Sequence, residues 1–176
     1  VAFILRFSYA YYAYNNNIMK SFSDDKGYFL LAEKIVADGK ILYSTDLHMY
    51  AYIVGPGLPW INALTIILFG NNWLGVFFIT SVVMALVTVF TYLVATKVVD
   101  KQTAMLVGIW SCFYLFYFKF SPTAGKDAWM SLFLILIIYI LVVLLRKHNI
   151  RYPILILLSI IYVYSFHLDE RFFLFS

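Results

Sequence analysis

Long apolar runs separated by short polar segments make up most of the sequence. The longest run, residues 73–96, holds no charged residue and ends before Lys97, so it predicts a membrane-spanning helix. Four other runs have the length of a span or of part of one, and they cover residues 1–18, 103–118, 128–145 and 153–168. The pattern therefore predicts an all-α transmembrane fold, a polytopic helix bundle with about five spans.

A further apolar segment, residues 51–70, is interrupted by four residues that break helices, namely Gly55, Pro56, Gly57 and Pro59. The eleven residues that follow Pro59 are too few to cross a hydrocarbon core of about 30 Å as a helix. We therefore interpret residues 60–69 as a helix that lies in the membrane interface or re-enters it. The alternative, in which the segment crosses the membrane, would move the preceding loop to the opposite side.

Basic residues orient the predicted bundle. Two spans separate the loop after residue 96 from the loop after residue 145, so both lie on one side, and the positive-inside rule places that side in the cytoplasm. Their cations are Lys97, Lys101, Arg146, Lys147 and Arg151. If residues 51–70 do not cross, the loops at residues 20–50, 119–127 and 169–171 are extracytoplasmic.

The loop at residues 20–50 contains a predicted amphipathic helix. Ser23 or Asp24 can cap its beginning, and Gly39 is a suitable terminator. The apolar residues between them recur at helical spacing, at Tyr28, Phe29, Ala32, Ile35 and Val36. We expect this helix to lie on the membrane surface.

Composition supports a membrane protein and excludes other classes. The chain is 64% hydrophobic and only 12% charged, whereas soluble domains are about 45–50% apolar and about 25% charged. Its net charge of +4 comes without a cationic block, so nothing indicates a nucleic-acid surface. The single cysteine, Cys112, excludes an internal disulfide and is expected to be a packing residue. We expect residues 1–176 to be one transmembrane domain, the N-terminal fragment of a longer protein.

Carboxylates at the ends of spans are the main candidates for chemistry. Five of them fall on the face predicted to be extracytoplasmic, namely Asp24, Asp25, Asp127, Asp169 and Glu170. Each alone is more often a boundary marker or a helix cap. Together they could form a pocket in which one acts as a general base, or in which a divalent cation binds.

Other chemical signals are weaker. The chain lacks the P-loop, dinucleotide-binding, nucleophile-elbow and zincin motifs. His48 and His167 are candidate metal ligands, although such residues are more often interfacial, and Arg6 is expected to snorkel inward. The aromatic clusters at residues 9–14 and 113–120 are typical of interfacial belts rather than of sugar platforms.

The order of these features resembles lipid-linked-sugar glycosyltransferases of the multi-pass GT-C class, in particular protein O-mannosyltransferases and aminoarabinose transferases. The resemblance covers nearly the whole chain. It rests on five motifs: Leu5-Arg6-Phe7, Ser23-Asp24-Asp25-x-x-Tyr28, Gly39, Leu58-Pro59-Trp60-Ile61-Asn62 and Leu68-Phe69-Gly70-Asn71-Asn72.

The resemblance implies transfer of a sugar from a polyprenyl-phosphate donor to a glycan, lipid or protein acceptor outside the cytoplasm, with inversion. Asp24 would be the general base and Asp127 a second catalytic acid. Asp25, Tyr28 and Arg171 would bind substrate, with Arg171 facing the phosphate, because a guanidinium matches phosphate oxygens. Several relatives carry a lysine before the proline break, where this chain has Val54 and Gly55. The alternative role for Arg171 is a salt bridge with Asp169 or Glu170.

A second class of function also fits the pattern. The chain could be a non-catalytic polytopic protein, such as a transporter half or an assembly scaffold, whose acids only mark the membrane boundary. Transporters usually keep ionisable residues near the bilayer midplane. The long runs from residue 73 onward have none, which argues against transport.

Overall fold

The computed structural model describes residues 1–16, 23–39, 57–147 and 160. Within these residues the chain forms seven helices and no strand, so the all-α prediction is confirmed. The helices are α1 (Ala2–Asn15), α2 (Ser23–Asp38), α3 (Gly57–Phe69), α4 (Trp73–Val98), α5 (Lys101–Cys112), α6 (Leu115–Phe120) and α7 (Asp127–Lys147).

Helix α4 is the centre of the bundle and contacts α1, α3, α5 and α7. It begins where the Asn72 side chain accepts a hydrogen bond from the Leu74 amide (2.9 Å), a cap that satisfies one free donor of the first turn. Its buried face packs against α7 through an apolar cluster of Val83, Met84, Val87, Ala128 and Leu132. Burial of these side chains is the main apolar contact between the two longest helices.

The structure contains fewer spans than the sequence predicts. Within the described residues, only α4 and the Asp127–Leu145 part of α7 are long and apolar enough to cross a membrane. Helix α1 has 14 residues, or about 21 Å, and α5 has 12. The predicted five-span count is therefore not reached here. The predicted span at residues 153–168 lies outside the described residues except for Ile160.

The predicted span at residues 103–118 is broken rather than continuous. Helix α5 ends at Cys112, and α6 begins at Leu115. Near the break, the side chains of Ser111 and Cys112 both donate to the Gly108 carbonyl (2.8 and 3.4 Å), and such bonds compete with regular helix. Because the whole run is apolar, its composition does not indicate this interruption.

Helices α2 and α3, which directly precede α4, agree with the sequence. Helix α3 has 13 residues, about 20 Å, and takes Pro59 into its first turn, where a missing N–H costs nothing. Helix α2 ends before Gly39, whose φ of +60° favours glycine. Its predicted apolar face needs one correction, because Val36 is exposed and Leu31 is buried instead. Helix α2 packs along α3.

Candidate functional site

The beginning of α2 meets the loop that joins α6 to α7, residues 121–126. Asp25, in the first turn of α2, is 6% exposed. Its Oδ1 atom lies 2.6 Å from the point where a Cβ at Gly125 would be, and its Cγ lies 3.8 Å from that point. The carboxyl group therefore fills the space that any larger residue at position 125 would need.

The 121–126 loop is held from two further helices. The Asn62 side chain of α3 donates to the Ala124 carbonyl at 3.4 Å. The Thr80 hydroxyl of α4 lies 3.0 Å from the Thr123 carbonyl and 2.9 Å from the Val76 carbonyl of its own helix. Both side chains are buried, and so are Ser121, Thr123 and Ala124 of the loop. These contacts hold the loop against α3 and α4.

Apolar packing joins α2 to α7 on the same side of the bundle. Tyr28 and Leu31 of α2 form a buried cluster with Leu58 of α3. Residues from the beginning of α7 pack against this cluster, namely Trp129, Met130 and Phe133. Tyr28 is 4% exposed, so its ring lies within the packed part of the structure. The cluster therefore joins the second and third turns of α2 to the beginning of α7.

The predicted site residues fall into four groups. Asp25 and Tyr28 are buried where α2 meets its neighbours, and Asp127 is the exposed first residue of α7. Asp24 lies in the first turn of α2, next to Asp25. The first turn of a helix stabilises negative charge, so these acids occupy favourable positions. The remaining candidates lie outside the described residues: Arg171, Asp169, Glu170, His48 and His167.

Side chains that could bind a metal ion do not form a cluster in the part of the chain that the structure describes. There, no three side chains of His, Cys, Asp or Glu come together in a way that could hold an ion.

A second polar centre lies deeper in the bundle, around Arg6. Its guanidinium donates to the Met84 carbonyl, to the Thr88 hydroxyl (2.6 Å) and to the Ser111 carbonyl (3.0 Å). It also lies over the Tyr117 ring, 5.1 Å from the centroid. The predicted inward direction is confirmed, but Arg6 is completely buried near the middle of α4 and does not reach water, as snorkelling would require.

The Arg6 contacts explain how the break between α5 and α6 is tolerated. The Ser111 carbonyl is among the last four of α5, which lack a partner within the helix. Arg6 supplies a donor, and a cation at a helix C-terminus is electrostatically favourable. The signal that sequence reasoning underweighted was the lone arginine itself, because intramembrane ionisable residues almost always face the bundle interior.

Comparison with known proteins identifies the family. A family model described as dolichyl-phosphate-mannose-protein mannosyltransferase matches residues 54–164, which is more than half of the chain. The match includes α3 to α7, the 121–126 loop and Asp127, and it begins after α2. No curated protein and no solved structure matches the chain. The chain belongs to the dolichyl-phosphate-mannose-protein mannosyltransferase family, a family of integral membrane glycosyltransferases of the GT-C type.

Proposed function

We propose that this protein transfers a sugar from a polyprenyl-phosphate donor to an acceptor hydroxyl on the extracytoplasmic side of the membrane. Family membership supports a lipid-linked donor, and it favours a transferase over a transporter half or a scaffold. The observation that carries the site is the contact between Asp25 and Gly125. Asp24 precedes Asp25 by one residue, and Asp127 follows Gly125 by two, with about 3.8 Å between consecutive Cα atoms. This connectivity supports the proposal that the two acids, on α2 and α7, share one site.

The proposed reaction is a single displacement. The acceptor oxygen forms a bond to the anomeric carbon while the bond from that carbon to the phosphate oxygen breaks, so the configuration inverts. Asp24 takes the proton of the acceptor hydroxyl, and the polyprenyl phosphate leaves with the bonding electrons. Asp127 positions the acceptor or the base. The displacement needs no protein nucleophile, which suits a site built from carboxylates.

One further residue is proposed to bind substrate, and another to support the site by packing. Arg171 would face the donor phosphate, because a guanidinium donates two parallel hydrogen bonds to phosphate oxygens. Tyr28 would support the site from the apolar cluster that it shares with Leu31 and Leu58, where its ring is fixed by packing.

The test is an Asp24→Asn variant of the intact protein in proteoliposomes. The donor is dolichyl phosphate mannose with a labelled mannose, and the assay measures transfer of the label to a peptide that contains serine and threonine. We expect kcat to fall by about 10²–10⁴, the usual contribution of a general base. Asp127→Asn should lower kcat by a smaller factor. Asp38→Asn is the matched control, since Asp38 is an exposed acid at the opposite end of α2.

Two results would contradict the proposal. If Asp24→Asn transfers mannose at the wild-type rate, the base assignment is wrong. If the intact wild-type protein transfers no mannose and releases no dolichyl phosphate, the transferase function itself fails with this donor class and the scaffold alternative gains support.

A further inference from the structure

Asp25 is more deeply buried than a residue that binds substrate needs to be. At 6% exposure it has little surface left for a ligand, and its Oδ1 atom lies against the backbone of Gly125. A buried carboxylate is expensive unless groups of the protein satisfy it. Its environment is therefore part of the fold at the junction of α2 with the 121–126 loop.

The loop itself has little freedom to move away from Asp25. Ser121 is completely buried and donates back to the Tyr117 carbonyl of α6 (2.9 Å). Thr123 and Ala124 are buried too, and their carbonyls accept from Thr80 and Asn62. A carboxylate that rests on Gly125 consequently contacts a backbone that is already fixed.

Glycine at position 125 is what permits this contact. A Cβ there would lie 2.6 Å from the Asp25 Oδ1 atom, closer than a real Cβ contact allows. At Gly27, two residues along α2 from Asp25, an added Cβ would meet no atom within 4 Å. The two glycines therefore offer a matched pair, one that requires a missing side chain and one that does not.

We propose that Asp25 is a positioning residue that holds the first turn of α2 on the 121–126 loop and so fixes the separation of Asp24 from Asp127. This inference rests on the proposed function and refines it, because it assigns Asp25 to the loop in place of the substrate. The acid and Gly125 act as one unit. Displacements of about 1 Å in a catalytic arrangement can cost about 10²-fold in rate.

The first experiment is a double-mutant cycle between positions 25 and 125 in the intact protein, measured with the dolichyl phosphate mannose assay. Asp25→Ala and Gly125→Ala should each lower kcat by about 10–100-fold with the KM for the donor unchanged. The double variant should be little slower than either single variant, because both break the same contact. Gly27→Ala should keep the wild-type kcat. Multiplicative effects, or a raised donor KM in Asp25→Ala, would overturn the proposal.

The second experiment restores the contact without a carboxylate. Asp25→Cys and Gly125→Cys are combined in a Cys112→Ser background. A sulfur at position 25 takes the place of the Asp25 Cγ, 3.8 Å from the Cβ at position 125. In a disulfide a sulfur lies about 3.0 Å from the far Cβ, so a local shift of under about 1 Å allows the bond to form. We expect the pair to crosslink on oxidation, and kcat to recover at least about tenfold relative to the reduced pair. Variants with only one of the two cysteines should not respond to oxidation.

The outcomes separate this inference from the proposed function. A crosslinked pair that stays as slow as the reduced pair shows that the carboxylate itself is needed, which overturns the positioning role while Asp24 remains the base. Failure to crosslink overturns the contact. If the wild-type protein transfers no sugar although the pair crosslinks, the proposed function fails and the positioning role fails with it, and only the packing stands.

Discussion

The Arg6 centre and the Asp25 junction bury charges of opposite sign in two different ways. The Asp25 junction is the contact between Asp25 of α2 and Gly125 of the 121–126 loop. Arg6 lies where α5 ends, and its donors reach carbonyl and hydroxyl oxygens of α4 and α5. Asp25 lies where α2 begins, and it rests on the backbone of a loop. Each charge thus occupies the helix terminus of opposite partial charge. The partial charge of the helix end replaces part of the stabilisation that water would give to the charged group.

The two regions differ in what they can do. Arg6 is fully enclosed, and no substrate could reach its guanidinium without the bundle opening. Asp25 is also enclosed, but Asp24 precedes it in sequence, and the exposed Asp127 follows its contact residue Gly125 by two positions. The Arg6 centre therefore organises the bundle, whereas the Asp25 junction lies beside the two acids for which we propose a role in the reaction.

Replacing Arg6 should destabilise the protein more than any substitution at the Asp25 junction. Arg6→Lys keeps a buried charge but loses the fork of donors, so we expect a loss of about 3–5 kcal/mol in the free energy of unfolding. Arg6→Met removes both the charge and its desolvation penalty. It leaves mainly the Ser111 carbonyl without a donor, so its expected loss is about 1–3 kcal/mol.

The order of the two Arg6 variants is the decisive readout. Reversible unfolding of the intact protein in detergent micelles should rank wild type above Arg6→Met and Arg6→Met above Arg6→Lys. If Arg6→Lys proves the more stable variant, charge alone matters at this position, and the donor geometry around Met84, Thr88 and Ser111 contributes little.

Crowding the contact between α3 and α4 should weaken the Asp25 junction alone. A Cβ at Gly75 would lie 2.8 Å from the Cβ of Phe69, an atom fixed to the α3 backbone, so α3 must shift. Overpacking of this kind costs about 1–3 kcal/mol. We expect Gly75→Ala to speed hydrogen exchange in α2 and α3, both of which support the 121–126 loop, and to leave the α5 amides unchanged.

Gly27→Ala serves as the control for the Gly75 variant. Its added Cβ meets open space within α2, so it should stabilise that helix by about 0.5–1 kcal/mol through backbone entropy. Equal acceleration of exchange in α2 and α5 after Gly75→Ala would show that the two regions form one cooperative unit, and the contrast between them would not hold.

The contrast also explains how much the sequence could predict. Uninterrupted apolar length identified α4 and α7, and the spacing of Ser23, Tyr28 and Gly39 identified α2. These features are local, since propensity, capping and turn conformation depend on residues close in sequence.

What the sequence could not predict depends on contacts between distant residues. Arg6 contacts Thr88 and Ser111, which are 82 and 105 positions away in sequence. The periodicity of apolar residues does not predict such distant partners. The break at residues 113–114 was hidden for the same reason, because Arg6 compensates for it from another helix. The Asp25 contact with Gly125 likewise required the fold, although Asp25 was already a candidate from its motif.

Removing the Thr80 hydroxyl tests the anchor of the 121–126 loop more gently. Thr80→Val leaves the buried Thr123 carbonyl without this donor, so we expect a loss of about 1 kcal/mol and faster exchange in residues 121–126. Thr91→Val is the matched control in the same helix, because the Thr91 hydroxyl donates only within α4, to the Val87 carbonyl (2.8 Å). Equal effects of both variants would mean that the loop does not depend on Thr80.

Asp100 offers an exposed counterpart to Asp25, and it should have the smallest effect. It caps α5 by accepting from the Thr103 hydroxyl (2.6 Å) and from the amides of Thr103 and Gln102 (3.0 and 2.9 Å), and these bonds hold its pKa below the ordinary value. Because the folded-state pKa is the lower one, the cap contributes fully above the unfolded pKa of about 3.9, and its contribution is lost as the pH falls through the folded pKa. Hydrogen exchange in the first turn of α5 should therefore gain protection between acid and neutral pH, beyond the intrinsic pH dependence of exchange. Asp100→Asn still caps the helix but does not titrate, so that gain should disappear. If the gain persists in Asp100→Asn, another group controls the end of α5. If the gain in protection disappears completely in Asp100→Asn, the Asp100 carboxylate stabilises the N-terminus of α5 even though it is exposed to water.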